Sequence, residues 1–211
     1  MLLPQNNKKS IVAYLDDSQV NLIKVKKILR DVFNIYCFDQ SNDLCSGLEF
    51  IYKNLLKNAQ KNNDNSFIEI QRAPFLSLYD FFVFDLELSS NEPEIYRNSF
   101  PLAFELRYNR NLDKPFFLYT NNNEEDTNEI INFQKTFLLN NYHLELKEES
   151  KTYRKESIEK KILALEKFNF NEIIPNKDQD IVDRCEILKE RISKFYNQRT
   201  FSSSSEKLGK F

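Results

Sequence analysis

Short apolar runs alternate with amphipathic stretches along this chain. Ile11–Leu15 is apolar throughout, as expected of a strand covered on both faces. From about Ser18 to Val32 the apolar positions Leu22, Val25, Leu29 and Val32 recur at helical spacing, with Ser18 able to cap the first turn. Asn34–Phe38 reads as a second strand. Ser41 is expected to cap a second helix with the stripe Leu44, Leu48, Ile51 and Leu55. Tyr79–Leu88 (YDFFVFDLEL) is the strongest strand signal, and Pro115–Tyr119 is a fourth strand. A weakly helical stretch between them, reaching about Arg107, is expected to be disturbed by Pro101. A helix is predicted from about Asp126 to Leu146 with Ile130, Phe133 and Phe137 on one face. Ile158, Ile162, Leu165 and Phe168 mark another helix, Phe170–Pro175 a fifth strand, and Ile181–Tyr196 a last helix. Strands alternating with helices, without a repeat or a separating linker, predict one α/β domain around a mostly parallel sheet.

Composition narrows the chemistry. The 211 residues include 30 basic and 32 acidic ones and no basic tract, which argues against a nucleic-acid partner. Glycine occurs only at Gly47 and Gly209, so glycine-dependent phosphate loops and nucleophile elbows are excluded. Cys37, Cys45 and Cys185 are scattered, which fits reduced thiols in a cytoplasmic protein. His143 is the only histidine and lies in a polar stretch, where it reads as a surface residue. No apolar run approaches the roughly 20 residues of a membrane span, and the N-terminus is too polar for a signal peptide.

The candidate chemistry sits where the strands end. Groups at the carboxyl ends of parallel strands converge on one edge of the sheet. Here they are Asp16 and Asp17 after the first strand, Asp85 after the third, Thr120 after the fourth and Lys177 after the fifth. Adjacent carboxylates repel and raise one another's pKa unless a cation neutralises them. Oxygen donors of this kind suit Mg²⁺, the amine suits a phosphoryl oxygen, and Asp85 beside the metal suits a nucleophile. Simpler readings stay open: the acidic pair as helix caps, Thr120 as a loop cap and Lys177 as a surface lysine.

Four segments, LDDSQVNLIKVKKIL (Leu15–Leu29), FFVFDLEL (Phe81–Leu88), PFFLYT (Pro115–Thr120) and EIIPNK (Glu172–Lys177), resemble in content and order the signatures of the receiver domain of two-component response regulators. That resemblance implies a flavodoxin-like, doubly wound, five-stranded parallel sheet of order 2-1-3-4-5. Asp85 matches the phosphoacceptor and Asp16 with Asp17 the acids that hold Mg²⁺. Glu87 sits where the family offers a backbone carbonyl to the metal. Thr120 and Lys177 match the hydroxyl and the amine that meet the phosphate. The implied partners are a histidine kinase or phosphotransfer protein and an unidentified protein target, with no membrane partner and a homodimer left open.

The sequence also departs from the family. Asp178 follows Lys177 where proline is usual, and Ile174 stands where an aromatic commonly swings on phosphorylation. The loop after Asp85 has Ser89, Ser90 and Asn91 in place of the usual proline and glycine, and the long Glu87 side chain is within reach of the metal on this reading. Expansions are expected near 57–78 and 140–168 inside a domain spanning 8–198, followed by a disordered tail, 199–211. The expectation is a stand-alone receiver, a regulator whose only chemistry is its own phosphorylation and dephosphorylation. The alternative is a degenerate receiver that binds or dimerises without phosphorylation. A Mg²⁺-dependent phosphohydrolase is a third, remoter reading.

Overall fold

The structure, a computed structural model, describes residues 9–47, 74–88, 98–175, 182–183 and 185–195. Lys177, Asp178, Ser89–Asn91, the distal part of the second helix and the tail lie outside the described residues. The elements are β1 (Ile11–Leu15), α1 (Gln19–Leu29), β2 (Asn34–Phe38), α2 (Ser41–Ser46), a 3-10 turn (Leu76–Leu78), β3 (Phe81–Asp85), α3 (Ser99–Asn109), β4 (Phe116–Thr120), α4 (Glu124–Glu148), α5 (Thr152–Lys167) and β5 (Glu172–Pro175). A last helix, α6, is described over 185–195.

The five strands form one sheet, all neighbours parallel, in the order β2-β1-β3-β4-β5. This is the flavodoxin-like, doubly wound order. Successive side chains on a strand point to opposite faces, so unbroken apolar strands need cover on both sides. Ala13, Leu15, Phe82, Phe84, Phe116 and Leu118 pack in one core cluster with residues of α2, α3, α4 and α5. Val12, Tyr14, Phe81, Val83, Phe117 and Tyr119 pack in a second with α1 and α6. Edge-to-face rings tie the first cluster together, for example Phe82 with Phe116 at 5.3 Å. Such pairs add about 0.5–1.5 kcal/mol beyond the area they bury.

Three local expectations need correction. Ser41 is the first residue of α2 and does not cap it; Gln40 occupies the cap position without a side-chain bond. Pro101 lies in the first turn of α3, where its missing N–H has no intrahelical acceptor to lose, so the helix runs undisturbed from its Asn98 cap. The face of α4 is also different. Phe133 and Phe137 are 67% and 52% exposed, whereas Thr127, Ile131 and Leu138 are buried.

The crossover from β4 to β5 explains that rotation. It holds two helices: α5 packs against α4 and α3, while α4 packs against α3 and β5. Thr127, Ile131 and Leu138 are buried, Leu139 and Tyr142 are half-buried against the same core, and the Lys135 amine donates to the carbonyls of Glu166 and Phe168 at the end of α5. At about 100° per residue, Phe133, Phe137 and Leu144 then lie on the far side of the helix.

Candidate functional site

The register of the central strands builds the site. Leu15 of β1 pairs with Phe38 of β2 and with Phe84 of β3, so the residue after each partner falls at the same edge. After Leu15, Phe38 and Phe84 those residues are Asp16, Asp39 and Asp85, of which Asp16 and Asp85 belong to the cluster. Asp85 is in register with Tyr119 of β4, and Thr120 is in register with Pro175 of β5. Asp16 continues the ladder by donating its N–H to the Phe38 carbonyl at 3.1 Å. Asp16, Asp17 and Asp85 each offer a carboxylate oxygen, and these oxygens lie within 4.8 Å of one another. The acidic pair and the third-strand acid are thus brought together as the sequence reading expected.

Asp16 is the deepest of the three, 1% exposed. Its Oδ1 accepts the Ser18 N–H at 2.7 Å; its Oδ2 accepts the Asn21 side-chain amide and the Tyr14 hydroxyl, each at 3.3 Å. Burial pushes its pKa up to about 6; the three donors pull the other way, and the neighbouring Asp17 charge adds a smaller upward push. Burial raises Asp17 as well. Asp85 is half-buried and accepts the Leu86 N–H on Oδ1 at 2.9 Å. Beneath the cluster, Tyr14 is fully buried against Tyr119, ring centroids 6.2 Å apart. Its hydroxyl is held far above the usual range, by burial first and then by the Asp16 charge.

The cluster presents oxygen donors without nitrogen or sulfur. Such a set suits a hard divalent cation of the Mg²⁺ type, which is satisfied by one or two carboxylates plus waters. A cation would also reverse the upward shifts at Asp16 and Asp17, because it favours their charged forms.

The remaining expected site residues are placed as follows. Thr120 is 2% exposed at the end of β4, and its hydroxyl oxygen accepts the Asn122 N–H at 3.2 Å, which leaves the O–H free in valence to donate. Glu87 is exposed, its backbone bridged to Asn98, and its carboxylate does not join the cluster among the described residues. It lines instead an open groove of about 620 Å³ with Leu88, Asn98, Glu129, Ile130, Phe133 and Gln134. Ile174 is buried on the α1 and α6 side of β5, in register with Tyr119. His143 is exposed, and Cys37, Cys45 and Cys185 form no disulfide.

Two residues beside the cluster went unassigned in the sequence reading: Tyr14, and the Asn21 side chain. Both had a signal. Tyr14 precedes Asp16 by two positions on a strand, hence shares its face, and Asn21 follows by five, one turn into the helix that Ser18 caps.

No helix among the described residues is long and apolar enough to cross a membrane. No family model matches the chain, and no curated protein matches it. Among solved structures it is similar to a receiver domain protein from Methanospirillum hungatei, with 10% identity, a TM-score of 0.44, and coverage of 90% of this chain and 99% of that one. It is similar to the chemotaxis protein CheY4 of Vibrio cholerae, with 12% identity, a TM-score of 0.40, and coverage of 87% and 98%. It is also similar to the response regulator DrrB of Thermotoga maritima, with 14% identity and a TM-score of 0.45, covering 91% of this chain and 54%, about half, of that protein.

Proposed function

We propose that the chain works as a response-regulator receiver in the cytoplasm, phosphorylated on Asp85 by a histidine kinase or phosphotransfer partner and signalling through protein contacts. The observation that carries the reading is the meeting of Asp16, Asp17 and Asp85 at the carboxyl edge of a 2-1-3-4-5 sheet. The order and content of the four signature segments support it independently.

On this reading Asp16 and Asp17, with an oxygen of Asp85 and the Glu87 carbonyl, would hold Mg²⁺. The ion supplies neutralisation of the carboxylates and of the incoming phosphoryl oxygens. A carboxylate oxygen of Asp85 forms a bond to phosphorus as the bond from phosphorus to the donor imidazole nitrogen breaks, and that nitrogen keeps the electron pair and takes a proton. Thr120 has an O–H to donate to a phosphoryl oxygen, and Lys177 would pair with another as a point charge. Asp16, held by three donors, keeps its position while charge moves nearby.

A second reading, a receiver that binds partners without phosphorylation, draws on Ile174. A buried aliphatic side chain beside Tyr119 cannot perform the ring swing that commonly reports a phosphate. One experiment separates the two. Incubation with Mg²⁺ and acetyl phosphate, followed by intact mass, is expected to show one added phosphoryl group on the wild type and none on Asp85→Asn. Absence of the adduct together with absence of Mg²⁺ binding in titration would favour the phosphorylation-independent reading.

A further inference from the structure

Asp16 is a buried carboxylate whose lone pairs can be counted. A carboxylate has about four acceptor sites, two on each oxygen. On Oδ2 both are taken, by the Asn21 amide at 3.3 Å and the Tyr14 hydroxyl at 3.3 Å. On Oδ1 one is taken, by the Ser18 N–H at 2.7 Å. A single lone pair on Oδ1 remains for a cation.

We infer that Tyr14 and Asn21 are specificity-determining residues that select Mg²⁺ over Ca²⁺, by filling Oδ2 and restricting Asp16 to one-oxygen coordination. The inference rests on the metal-binding part of the proposed function. Mg²⁺ demands near-octahedral geometry, retains waters and needs only one oxygen from each carboxylate, so the occupied Oδ2 takes nothing from it. Ca²⁺ takes six to eight oxygens and commonly claims both oxygens of a carboxylate, an option closed here by two donors. Tyr14 is suited to the task because it is fully buried and its ring is packed against Tyr119 on the β1–β4 face, so the hydroxyl has little freedom to leave. Asn21 is fixed from below, as its own N–H is bound by the Ser18 hydroxyl at the start of α1. Each is a positioning residue, acting on the metal through Asp16.

The test is titration of the full chain with Mg²⁺ alone and with Ca²⁺ alone by calorimetry, for wild type, Tyr14→Phe, Asn21→Ala and the double variant. Thermal unfolding without metal reports whether each variant is folded, and the ring retained in Tyr14→Phe preserves the packing. The expected result is that the ratio of Ca²⁺ to Mg²⁺ affinity rises on the order of tenfold in Tyr14→Phe, within the range that outer partners of metal ligands command, and further in the double variant. A purely structural role would move both affinities by one factor and leave the ratio unchanged, and that result overturns the inference while leaving the metal site standing. A wild type that binds neither ion overturns the metal reading itself, and the inference with it. If Tyr14→Phe does not fold, the ratio in Asn21→Ala decides: a rise upholds the inference and no rise overturns it.

Discussion

Leu15 of β1 and Phe84 of β3 are paired in register, and the residue that follows each is an aspartate. That single pairing sets Asp16 beside Asp85. Because side chains alternate along a strand, a slip of one residue would turn Tyr14 and Val12 from the α1 and α6 core toward the opposite face, and Ala13 and Leu15 the other way. Packing on both faces therefore protects the register, and the register holds the site.

Replacing Asp16 by Asn should stabilise the metal-free protein near pH 8. The pKa of Asp16 is raised from 3.8 to about 6, so its favourable contribution is complete below the unfolded value and is lost as pH rises through the folded one. Above pH 6 the ionised, buried carboxylate opposes folding by on the order of 2–3 kcal/mol, part of which the amide would forfeit through poorer bonds to Tyr14 and Ser18. The expected thermal midpoint of Asp16→Asn is higher than wild type at pH 8 and not higher at pH 4. Saturating Mg²⁺ should raise the wild-type midpoint, since a ligand at about 100 times its Kd adds about 2.7 kcal/mol, and should leave the variant unmoved. Equal metal-induced shifts in both proteins would remove Asp16 from the ligand set.

The thiols should separate cleanly by reactivity. Cys45 is exposed, whereas Cys37 and Cys185 are buried. Burial pushes the Cys37 thiol up to about 12, well beyond the reach of a thiolate-selective reagent at neutral pH. One fast-reacting thiol is expected in the native protein at pH 8, and three after denaturation. The raised Cys37 value also carries a sign for stability: the contribution is complete below the unfolded pKa near 9 and falls as pH climbs toward 12. Cys37→Ala should flatten that alkaline decline, as measured by denaturant midpoints between pH 8 and 10.

On α4, Leu138→Ala and Phe133→Ser should differ sharply. Leu138 is 3% exposed within the sheet-side core, and its truncation should cost about 2–5 kcal/mol. Phe133 is 67% exposed, and its loss should stay within about 0.5 kcal/mol. Urea unfolding of the two variants checks the orientation of the helix directly. Comparable losses would mean that Phe133 is buried in solution.

The same helix marks where sequence reading succeeded and where it could not. The unbroken apolar character of Val12–Leu15, Phe81–Phe84 and Phe116–Tyr119 revealed a sheet covered on both faces, because only burial on both sides permits it. Asp16, Asp17 and Asp85 were legible as a group because parallel strands end together. The face of α4 was not legible. Its apolar residues nearly encircle the helix, and what chooses among them is contact with α3, α5 and β5, neighbours that periodicity within α4 does not describe. The surroundings of Glu87 were not legible for a related reason: the Glu87–Asn98 bridge and the groove beside it depend on residues distant in sequence.

Lys135 should be the side chain that couples the two helices of the crossover. Its amine donates to the carbonyls of Glu166 at 2.7 Å and Phe168 at 3.2 Å, where α5 ends and would otherwise leave acceptors unmet. A cation at a helix C-terminus is favoured by the dipole as well. Lys135→Met keeps the apolar stem and removes the donor, and should cost about 0.5–1.5 kcal/mol. The loss should be local. Hydrogen exchange is expected to quicken at the amides of Leu165 and Phe168, the latter bonded to the Leu165 carbonyl, and to leave α1 unchanged. Uniform acceleration across α1 and α5 would indicate global destabilisation in place of a lost cap. Unchanged exchange at Phe168 would show that the lysine contributes nothing there.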